Sequence, residues 1–407
     1  MNKRCIMSVE AFICLLPIVW SLCVIYNIPN TKHLQTDITL LTSVFCLIKY
    51  RGWRFFRDGL RDNFFLFIFL SMTFLSSLFY AYHFLNGGHS DLPRALLLCA
   101  FYILFVPKHV FSINNLIIVV LLSSLSVFFG FFYEIVYLDN VRLGSNAINP
   151  IPYSFYVGFV LFLCLMLARV SLDEGRSKVA ILLVFCSFPL FFAILYTGTR
   201  ATLLAIACAL IFYFLRSAMI GSKVNALWAM LFFLLMSLFL SQVPIAKNRT
   251  IETVEQLTNY SDGGAAKLRV NMWLTGIQLA GDKPWLGYSR DELQLELTNG
   301  IESGLFPAEV EPFLVHSNPH FHNQFVQFQI DSGLLGLLSM LVFVFSPLLI
   351  CLFLKEKRIT ELILSFQIFS IVCLWFDSLY LHNHSVYLMC FFVFIVALLS
   401  EKKLRVR

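Results

Sequence analysis

The amino-acid sequence predicts an all-α integral membrane protein. Of its 407 residues, 59% are hydrophobic and only 13% are charged, and its mean hydropathy is +0.79. A soluble chain of this length needs more charged residues to cover its surface. Long apolar runs, to which 44 Phe residues contribute, alternate with shorter polar segments. This alternation is typical of helices that cross a bilayer.

Twelve stretches are apolar enough to be membrane-spanning helices, although the second and fourth are shorter than the roughly 20 residues that a bilayer requires. In chain order they are about 8–26, 36–49, 64–83, 94–107, 115–137, 152–172, 178–197, 200–216, 224–243, 334–354, 361–381 and 384–400. The first follows Lys3 and Arg4, as a signal peptide would, but no small-residue cleavage site follows it. We therefore interpret it as a retained helix.

One connection between spans is far longer than the others. It divides the chain into spans one to nine (1–243), a loop with short helices (244–333), and spans ten to twelve with the C-terminal tail (334–407). Twelve spans place both termini on one side, and twenty of the thirty Lys and Arg residues lie on that side. The positive-inside rule assigns this side to the cytoplasm. The long loop is then predicted on the outer face, which would hold eight of the nine histidines.

The middle of the long loop predicts an amphipathic helix at about 265–280. Polar and apolar side chains each recur there at helical spacing. Arg269 and Trp273 are four residues apart and so share a face, on which the indole could hold the guanidinium by stacking. An interfacial Arg–Trp anchor explains the same spacing equally well.

Two further arginines are predicted at the outer face. Arg200 follows a four-residue hairpin between spans seven and eight, and Arg142 precedes span six. Together with Arg269 they would suit a lipid-linked diphosphate, because guanidinium binds phosphate oxygens bidentately and keeps its charge. Snorkelling of Arg200 to the interface is the simpler interpretation.

The segment HSNPHFHNQFVQFQIDSGLLG (316–336) combines three histidines with a glycine-spaced apolar run. Asn318 and Pro319 predict the cap and first residue of a helix that continues into span ten. Asp331 and Ser332 are the positions at which this helix could break.

On a continuous helix, one stripe would hold His322, Gln329, Gly333 and Gly336. His322 would then lie at the outer membrane boundary, above a groove without side chains into which a lipid or sugar could approach. Its imidazole would suit a general base, because its ordinary pKa is near ~6.5. An interfacial role for His322 stays open, as do rival carboxylate bases at Asp91, Asp282, Asp291 and Glu292.

The sequence predicts no metal site. His316, His320 and His322 have a suggestive spacing, but on a helix the last two would point about 200° apart. The outer loops contain no D-x-D pair, so a metal-dependent nucleotide-sugar transferase finds no support. His382 and His384 are interpreted as interfacial residues. None of the eleven cysteines lies in the 244–333 loop, which excludes a catalytic thiol there, and no P-loop motif is present.

The motifs together resemble those of bacterial O-antigen ligases. His322-Asn323, nine further residues, Gly333 and then Gly336 are similar to the histidine–glycine motif of that family. Arg200 at an outer hairpin and Arg269 before PWLGY are similar to the two arginines that these ligases place around the lipid diphosphate. Arg269 and Trp273 followed by PWLG resemble the wider ligase and polymerase superfamily.

The resemblance implies a lipid-dependent glycosyltransferase of the GT-C-like architecture. It implies transfer of O-antigen polysaccharide from undecaprenyl diphosphate to lipid A–core in lipopolysaccharide biosynthesis, at the periplasmic face of the inner membrane and without metal or cofactor. His322 would be the general base, and Arg200, Arg269 and Arg142 would bind the donor diphosphate. Supporting positions would be Trp273, Asn323, Gln329, Gly333 and Gly336.

Two other functions stay open. An O-antigen polymerase would use the same lipid-linked donor, although the histidine–glycine motif favours a ligase. A transporter of lipid-linked sugars is a different class, but transporters usually place polar groups near the bilayer midplane. Here the spans are nearly free of charge, and the polar residues gather at their outer ends.

Overall fold

The computed structural model describes residues 7–50, 64–85, 90–219, 264–315, 319–353 and 357–405, with isolated positions between 248 and 258. The regular elements in this part of the chain are helices. The first eight are α1 (Val9–Cys23), α2 (Leu34–Tyr50), α3 (Phe64–Leu85), α4 (Asp91–Phe105), α5 (Ile113–Phe131, extended by a π-helical turn to Tyr137), α6 (Pro150–Asp173), α7 (Ser177–Thr197) and α8 (Arg200–Met219).

Six further helices lie between residue 265 and the C-terminal end of the described chain. They are α9 (Ala265–Asp282), α10 (Arg290–Glu302), the single turn α11 (Glu311–Leu314), α12 (Gln324–Phe353), α13 (Lys357–Phe376) and α14 (Asn383–Arg405). Every predicted span falls on one of these helices except 224–243, which lies outside the described residues. The amphipathic helix predicted at 265–280 is confirmed as α9.

Five of the described helices are long and apolar enough to cross a membrane. They are Ile113–Tyr137, Pro150–Asp173, Ser177–Thr197, Gln324–Leu352 and Ile359–Phe376, and shorter apolar helices occur at Val9–Cys23 and Asn383–Leu399. The chain is therefore a multi-pass membrane protein. The number of twelve spans stays a prediction.

The helical core centres on α6 and α14, which are buried along most of their length. Phe159 of α6 meets Phe366 of α13 and Phe392 of α14, with ring centroids 5.9 and 5.4 Å apart. Peripheral helices instead expose apolar side chains, such as Ile181 and Phe185 of α7 at 67% and 69%. This exposure is the pattern expected of helices that face lipid, where no hydrophobic penalty attaches to it.

The described part of the long loop has a smaller apolar core of its own. Met272 and Leu279 of α9 pack with side chains from α10, α11 and the segment before and within α12. The buried members of this cluster are Met272, Leu279, Tyr288, Leu293, Leu297, Phe306, Val310, Leu314, Phe321 and Ile330. Because Phe321 and Ile330 belong to it, the loop core fixes the region around His322.

Candidate active site

The helix that follows the clustered histidines begins later than the sequence predicts. It starts at Gln324, and the side-chain oxygen of Asn323 caps it by accepting hydrogen bonds from the backbone of Phe325 and Val326 at 3.0 and 3.2 Å. Asn318 lies outside the described residues, and the helix start predicted at Pro319 is wrong. Asn323 is the better cap because its carboxamide reaches two free N–H groups of the first turn.

The residues before this cap form a turn that Gln327 holds against α12. The Gln327 side-chain oxygen accepts from the backbone N–H of Phe321 at 3.2 Å, and its amide donates to the Pro319 carbonyl at 3.4 Å. His322 adopts a left-handed backbone conformation with φ of 49°. Such a conformation is uncommon for a residue with a side chain, and it often marks a functional position.

This turn brings two of the three histidines together. The rings of His320 and His322 stack with centroids 4.1 Å apart and planes inclined by 29°. The expectation that these two side chains point in opposite directions was wrong. It assumed that both lie on a helix, whereas the chain turns between them. His316 lies outside the described residues.

Asp377, which directly follows α13, completes the cluster. Its Oδ1 lies 2.9 Å from His320 Nε2 and 3.3 Å from His322 Nδ1, and the carboxylate is almost fully buried. Burial by itself would raise the pKa of Asp377, but the two imidazoles hold that pKa far below its usual range. Burial lowers the pKa of His322, and the Asp377 carboxylate partly opposes this shift. The cluster therefore pairs an ionised carboxylate with an imidazole that favours its neutral form.

Sequence reasoning missed Asp377, although one signal pointed to it. It is the acidic residue in the segment WFDSLY, next to the end of an apolar span, where an uncompensated carboxylate is costly. Its partners lie 55 and 57 residues earlier in the chain, which no local pattern shows.

The three side chains could also hold a cation. One donor atom from each of His320, His322 and Asp377 lies within 4.8 Å of the others. Two imidazoles and a carboxylate are a familiar donor set for zinc and other divalent transition metals. The geometric argument against a metal site at the histidines is thus overturned. The prediction of metal-independent chemistry rests instead on the lack of a D-x-D pair in the predicted outer loops.

Helix α9 presents Arg269 and Trp273 to this cluster. The Trp273 indole N–H donates to the backbone carbonyl of His322 at 3.2 Å, which helps to fix the strained turn. Its ring packs on Trp375 and Phe376 near the end of α13, with centroids 6.5 and 6.0 Å away. In the described part of the chain, the cation–π contacts involve Lys49 and Lys283, not Arg269, so the predicted stacking of Arg269 on Trp273 is wrong.

Arg269 lies in the same electrostatic neighbourhood as the histidine cluster. Burial lowers the pKa of its guanidinium, Asp377 opposes that shift, and Arg200 adds to it. Arg200, the first residue of α8, forms an ion pair with Glu252 at 2.7 Å. Arg269 therefore lies within electrostatic range of both Asp377 and Arg200.

Arg142 has a different position. Its Nε donates to the backbone carbonyl of Thr197 at 2.8 Å, and the neighbouring Leu143 N–H donates to the Tyr196 carbonyl at 3.0 Å. These bonds join the loop after α5 to the end of α7, next to the turn that leads into Arg200. Arg142 thus positions that turn, and its Nε is already committed to a backbone carbonyl.

Gly333 does not open a groove for a ligand. It interrupts α12 with φ of 62° and ψ of −166°, so the predicted stripe through His322 is not continuous. A Cβ at Gly333 would lie 2.2 Å from the carbonyl carbon and oxygen of Trp285, and one at Gly287 would lie 2.2 Å from the Ile330 carbonyl. The two glycines permit the PWLGY segment to lie against the backbone of α12.

Hydrogen bonds secure this contact, which we term the glycine interlock (residues 284–288 against 329–335). Tyr288 N–H donates to the Ile330 carbonyl at 2.9 Å, and Leu334 N–H donates to the Pro284 carbonyl at 2.7 Å. The Gln329 amide donates to the same Pro284 carbonyl at 2.9 Å. Gln329, which the resemblance implies as a supporting position, therefore has a structural role in this contact.

Gly336 makes room inside α12 itself. A Cβ there would lie 2.0 Å from the Cβ of Ser332, one turn earlier in the helix. The kink at Gly333 turns Ser332 toward this position.

Three other polar candidates have partners elsewhere in the structure. Asp91 pairs with Arg94, and Glu292 completes a capping box with Ser289 at the start of α10. His384 is buried, stacked on His382 and edge-on to Tyr26, so its interpretation as an interfacial residue is wrong.

Residues 182–341 match the family model described as O-antigen ligase. The chain carries a domain of the O-antigen ligase superfamily. No curated protein matches the chain. The O-antigen ligase domain contains Arg200, Arg269, Trp273 and the whole segment from His322 to Gly336, whereas Arg142 and Asp377 lie outside it. Part of the candidate site is therefore supplied by helix α13, beyond the matched domain.

Proposed function

We propose that the protein is an O-antigen ligase that transfers O-antigen polysaccharide from undecaprenyl diphosphate to lipid A–core. The observation that carries the proposal is the contact of His322 Nδ1 with the buried Asp377 carboxylate, beside Arg269, which itself lies within electrostatic range of Arg200. A carboxylate at Nδ1 favours the tautomer with its proton on that nitrogen. Nε2 then keeps its lone pair and can accept a proton.

The reaction joins an acceptor hydroxyl to the anomeric carbon of the lipid-linked glycan. His322 Nε2 takes the hydroxyl proton as the new carbon–oxygen bond forms, and the bond from the anomeric carbon to the diphosphate oxygen breaks. Direct displacement inverts the anomeric centre. A hydroxyl is a weak nucleophile at neutral pH, and positioned proton removal typically contributes about 10²- to 10⁴-fold to the rate.

Arg200 and Arg269 stabilise the departing undecaprenyl diphosphate. Charge develops on the diphosphate as the bond breaks, and preorganised cations in a partly buried site stabilise that charge strongly. Guanidinium suits the task because its planar fork matches phosphate oxygens and it stays protonated when partly desolvated. Arg142 supports this pair by fixing the turn before Arg200.

We place this site at the periplasmic face of the bacterial inner membrane, with both termini in the cytoplasm. The support is the excess of Lys and Arg on the side of the termini. Both substrates are anchored in the membrane, so a site at the outer ends of the helices meets them at the bilayer surface.

Deletion of the gene tests the proposal. Loss of a ligase leaves lipid A–core without O-antigen, while lipid-linked polymer remains in the membrane. Core capped with a single repeat unit would identify the protein as a polymerase instead. A flux assay with labelled lipid-linked sugar separates a transporter from both enzymes, because only loss of a transporter would abolish the flux.

A further inference from the structure

A cleft of about 480 Å³ opens between the outer end of α3 and the PWLGY segment. Tyr82, Trp285 and Leu286 supply large apolar surfaces to it and are 51%, 62% and 50% exposed. Asp282 and Glu292 add carboxylates to its lining. None of these residues belongs to the cluster around His322, and nothing in the proposed chemistry uses them.

The lining of the cleft suits a sugar better than a phosphate. Among the described residues that line it, Lys283 is the one Lys or Arg, and it already pairs with Glu292 at 3.0 Å and lies over the Tyr288 ring. Aromatic rings pack well on the apolar C–H faces of pyranose rings, while carboxylates accept hydrogen bonds from their hydroxyls. A mostly apolar wall with a few fixed polar groups is typical of a ligand site.

The glycine interlock fixes this cleft relative to the candidate base. Pro284, which lines the cleft, accepts hydrogen bonds from Gln329 and Leu334 of α12. Gln329 lies five residues after the start of that helix, about 7.5 Å along its axis at ~1.5 Å per residue. His322 precedes the same helix by two residues. The cleft and the base are therefore held on one rigid element.

We propose that this cleft binds the sugar rings of the acceptor oligosaccharide, an inference that rests on the proposed ligase function. Arg200 and Arg269 bind the donor through its diphosphate. The attacking hydroxyl of the acceptor is uncharged, so an ionic contact cannot position it. The acceptor needs a separate surface, and the cleft supplies aromatic and hydroxyl-binding groups. It lies at the outer end of α3, where the sugars of a membrane-anchored glycolipid emerge.

The test compares cleft variants of the full-length purified protein in lipid nanodiscs. The probe is lipid A–core from cells that make no O-antigen, with binding measured without donor and initial rates measured with it. For Trp285→Ala and Asp282→Asn we expect the acceptor KM and Kd to rise roughly 10-fold, with donor KM and kcat nearly unchanged. Trp285→Phe should recover most of the affinity, because it restores an aromatic surface.

Tyr137→Ala is the matched control. Tyr137 is also a strongly exposed outer aromatic, at 77%, but it does not line the cleft. Its loss should leave the acceptor KM unchanged. Asp282→Asn alters one atom at the surface, so it keeps the test valid if Trp285→Ala folds poorly.

Free core oligosaccharide, released from its lipid by mild acid, separates sugar binding from lipid contact. It should compete with lipid A–core for the wild-type protein and compete roughly 10-fold less well for Trp285→Ala. Competition by lipid A alone, or a rise in donor KM instead of acceptor KM, overturns the inference. So do cleft variants that equal wild type while wild type binds acceptor and ligates. A wild-type protein that neither binds lipid A–core nor ligates overturns the proposed function and this inference with it.

Discussion

His322 is the residue whose loss should separate binding from chemistry. We expect His322→Ala to bind lipid-linked donor normally and to lose ligation by at least about 10²-fold, as is typical when a general base is removed. Donor binding should persist because the diphosphate contacts the arginines. Single-turnover ligation and donor binding, measured on the same purified protein, check this prediction.

His320→Ala is the control, because His320 has the same side chain and contacts the same Asp377 oxygen. It should keep substantial activity, since His322, and not His320, begins the histidine–glycine motif. If only His320→Ala loses ligation activity, or if both variants are equally active, His322 is not the general base.

Arg200 and Arg269 should each contribute to stabilisation of the leaving diphosphate. A hydrogen bond to a charged group contributes about 1.5–3 kcal/mol, so each Arg→Ala change should slow ligation roughly 10- to 100-fold. Arg→Lys should recover little, because it keeps the charge and loses the planar fork. Initial rates across donor concentrations measure the effect.

Arg94→Ala provides the matching control for the arginines. Arg94 is an exposed arginine that pairs with Asp91 at the start of α4. Its loss should change the rate little, since exposed ion pairs contribute about 0–1 kcal/mol. Well-expressed Arg200→Ala and Arg269→Ala proteins that ligate at wild-type rates would refute the assignment.

The cluster of His320, His322 and Asp377 could hold a metal ion, so the metal dependence of ligation needs a direct test. We predict that ligation continues in EDTA, because the outer loops have no D-x-D pair and the arginines take the place of a metal at the diphosphate. The measurement is ligation by purified protein after dialysis against chelator. Activity that disappears in EDTA and returns with Zn²⁺ or Mn²⁺, and fails to return in Asp377→Asn, would show that the cluster holds a catalytic ion.

At the scale of elements, the glycine interlock should determine both stability and activity. Gly333→Ala places a Cβ 2.2 Å from the Trp285 backbone at φ of +62°. That backbone region is almost restricted to glycine and costs other residues about 1–3 kcal/mol, to which the steric clash adds. We expect a lower unfolding temperature and reduced ligation, because the interlock joins the loop to the helix that follows His322.

Gly281→Ala serves as the control for this substitution. Gly281 lies in α9 with a helical backbone, and a Cβ added there would have no neighbour within 4 Å. Alanine there should leave the protein as stable or up to about 1 kcal/mol more stable, because glycine is a poor helix former. Equal unfolding temperatures for the two variants would contradict the interlock.

The elements also explain why the start of α12 was mispredicted. Ser, Asn and Pro at 317–319 have the composition of a helix start, and so does Asn323. The tertiary contacts of Gln327 with Pro319 and Phe321 select the second position. Propensity alone does not distinguish two adjacent caps, since each contributes about 1 kcal/mol.

At the scale of the whole molecule, the prediction is the orientation in the membrane. In a cysteine-free background, an impermeant thiol reagent should label Asn299→Cys in intact spheroplasts and should label Ser177→Cys only after permeabilisation. Both positions are exposed in the structure, the first in α10 and the second at the start of α7. The charge asymmetry between loops is the physical reason. The reverse labelling would invalidate the periplasmic assignment of the site.

The sequence by itself determined the class of the protein and the positions of its long apolar helices within the described residues. Hydropathy and helical periodicity depend only on residues that are neighbours in the sequence, so they can be recognised without knowledge of the fold. The same local information located α9 and identified motifs at Arg269 and His322, both of which lie within the residues that match the O-antigen ligase model.

Only the tertiary structure decided how those residues work together. Asp377 reaches His322 from 55 residues away, and Gly287 meets the Gly333 region across 46 residues. Contacts at such separations are set by how helices pack, which no local pattern encodes. The buried carboxylate and the interlock exist only because α9, α12 and α13 converge, so that a buried charge finds its partners and glycine backbones can touch.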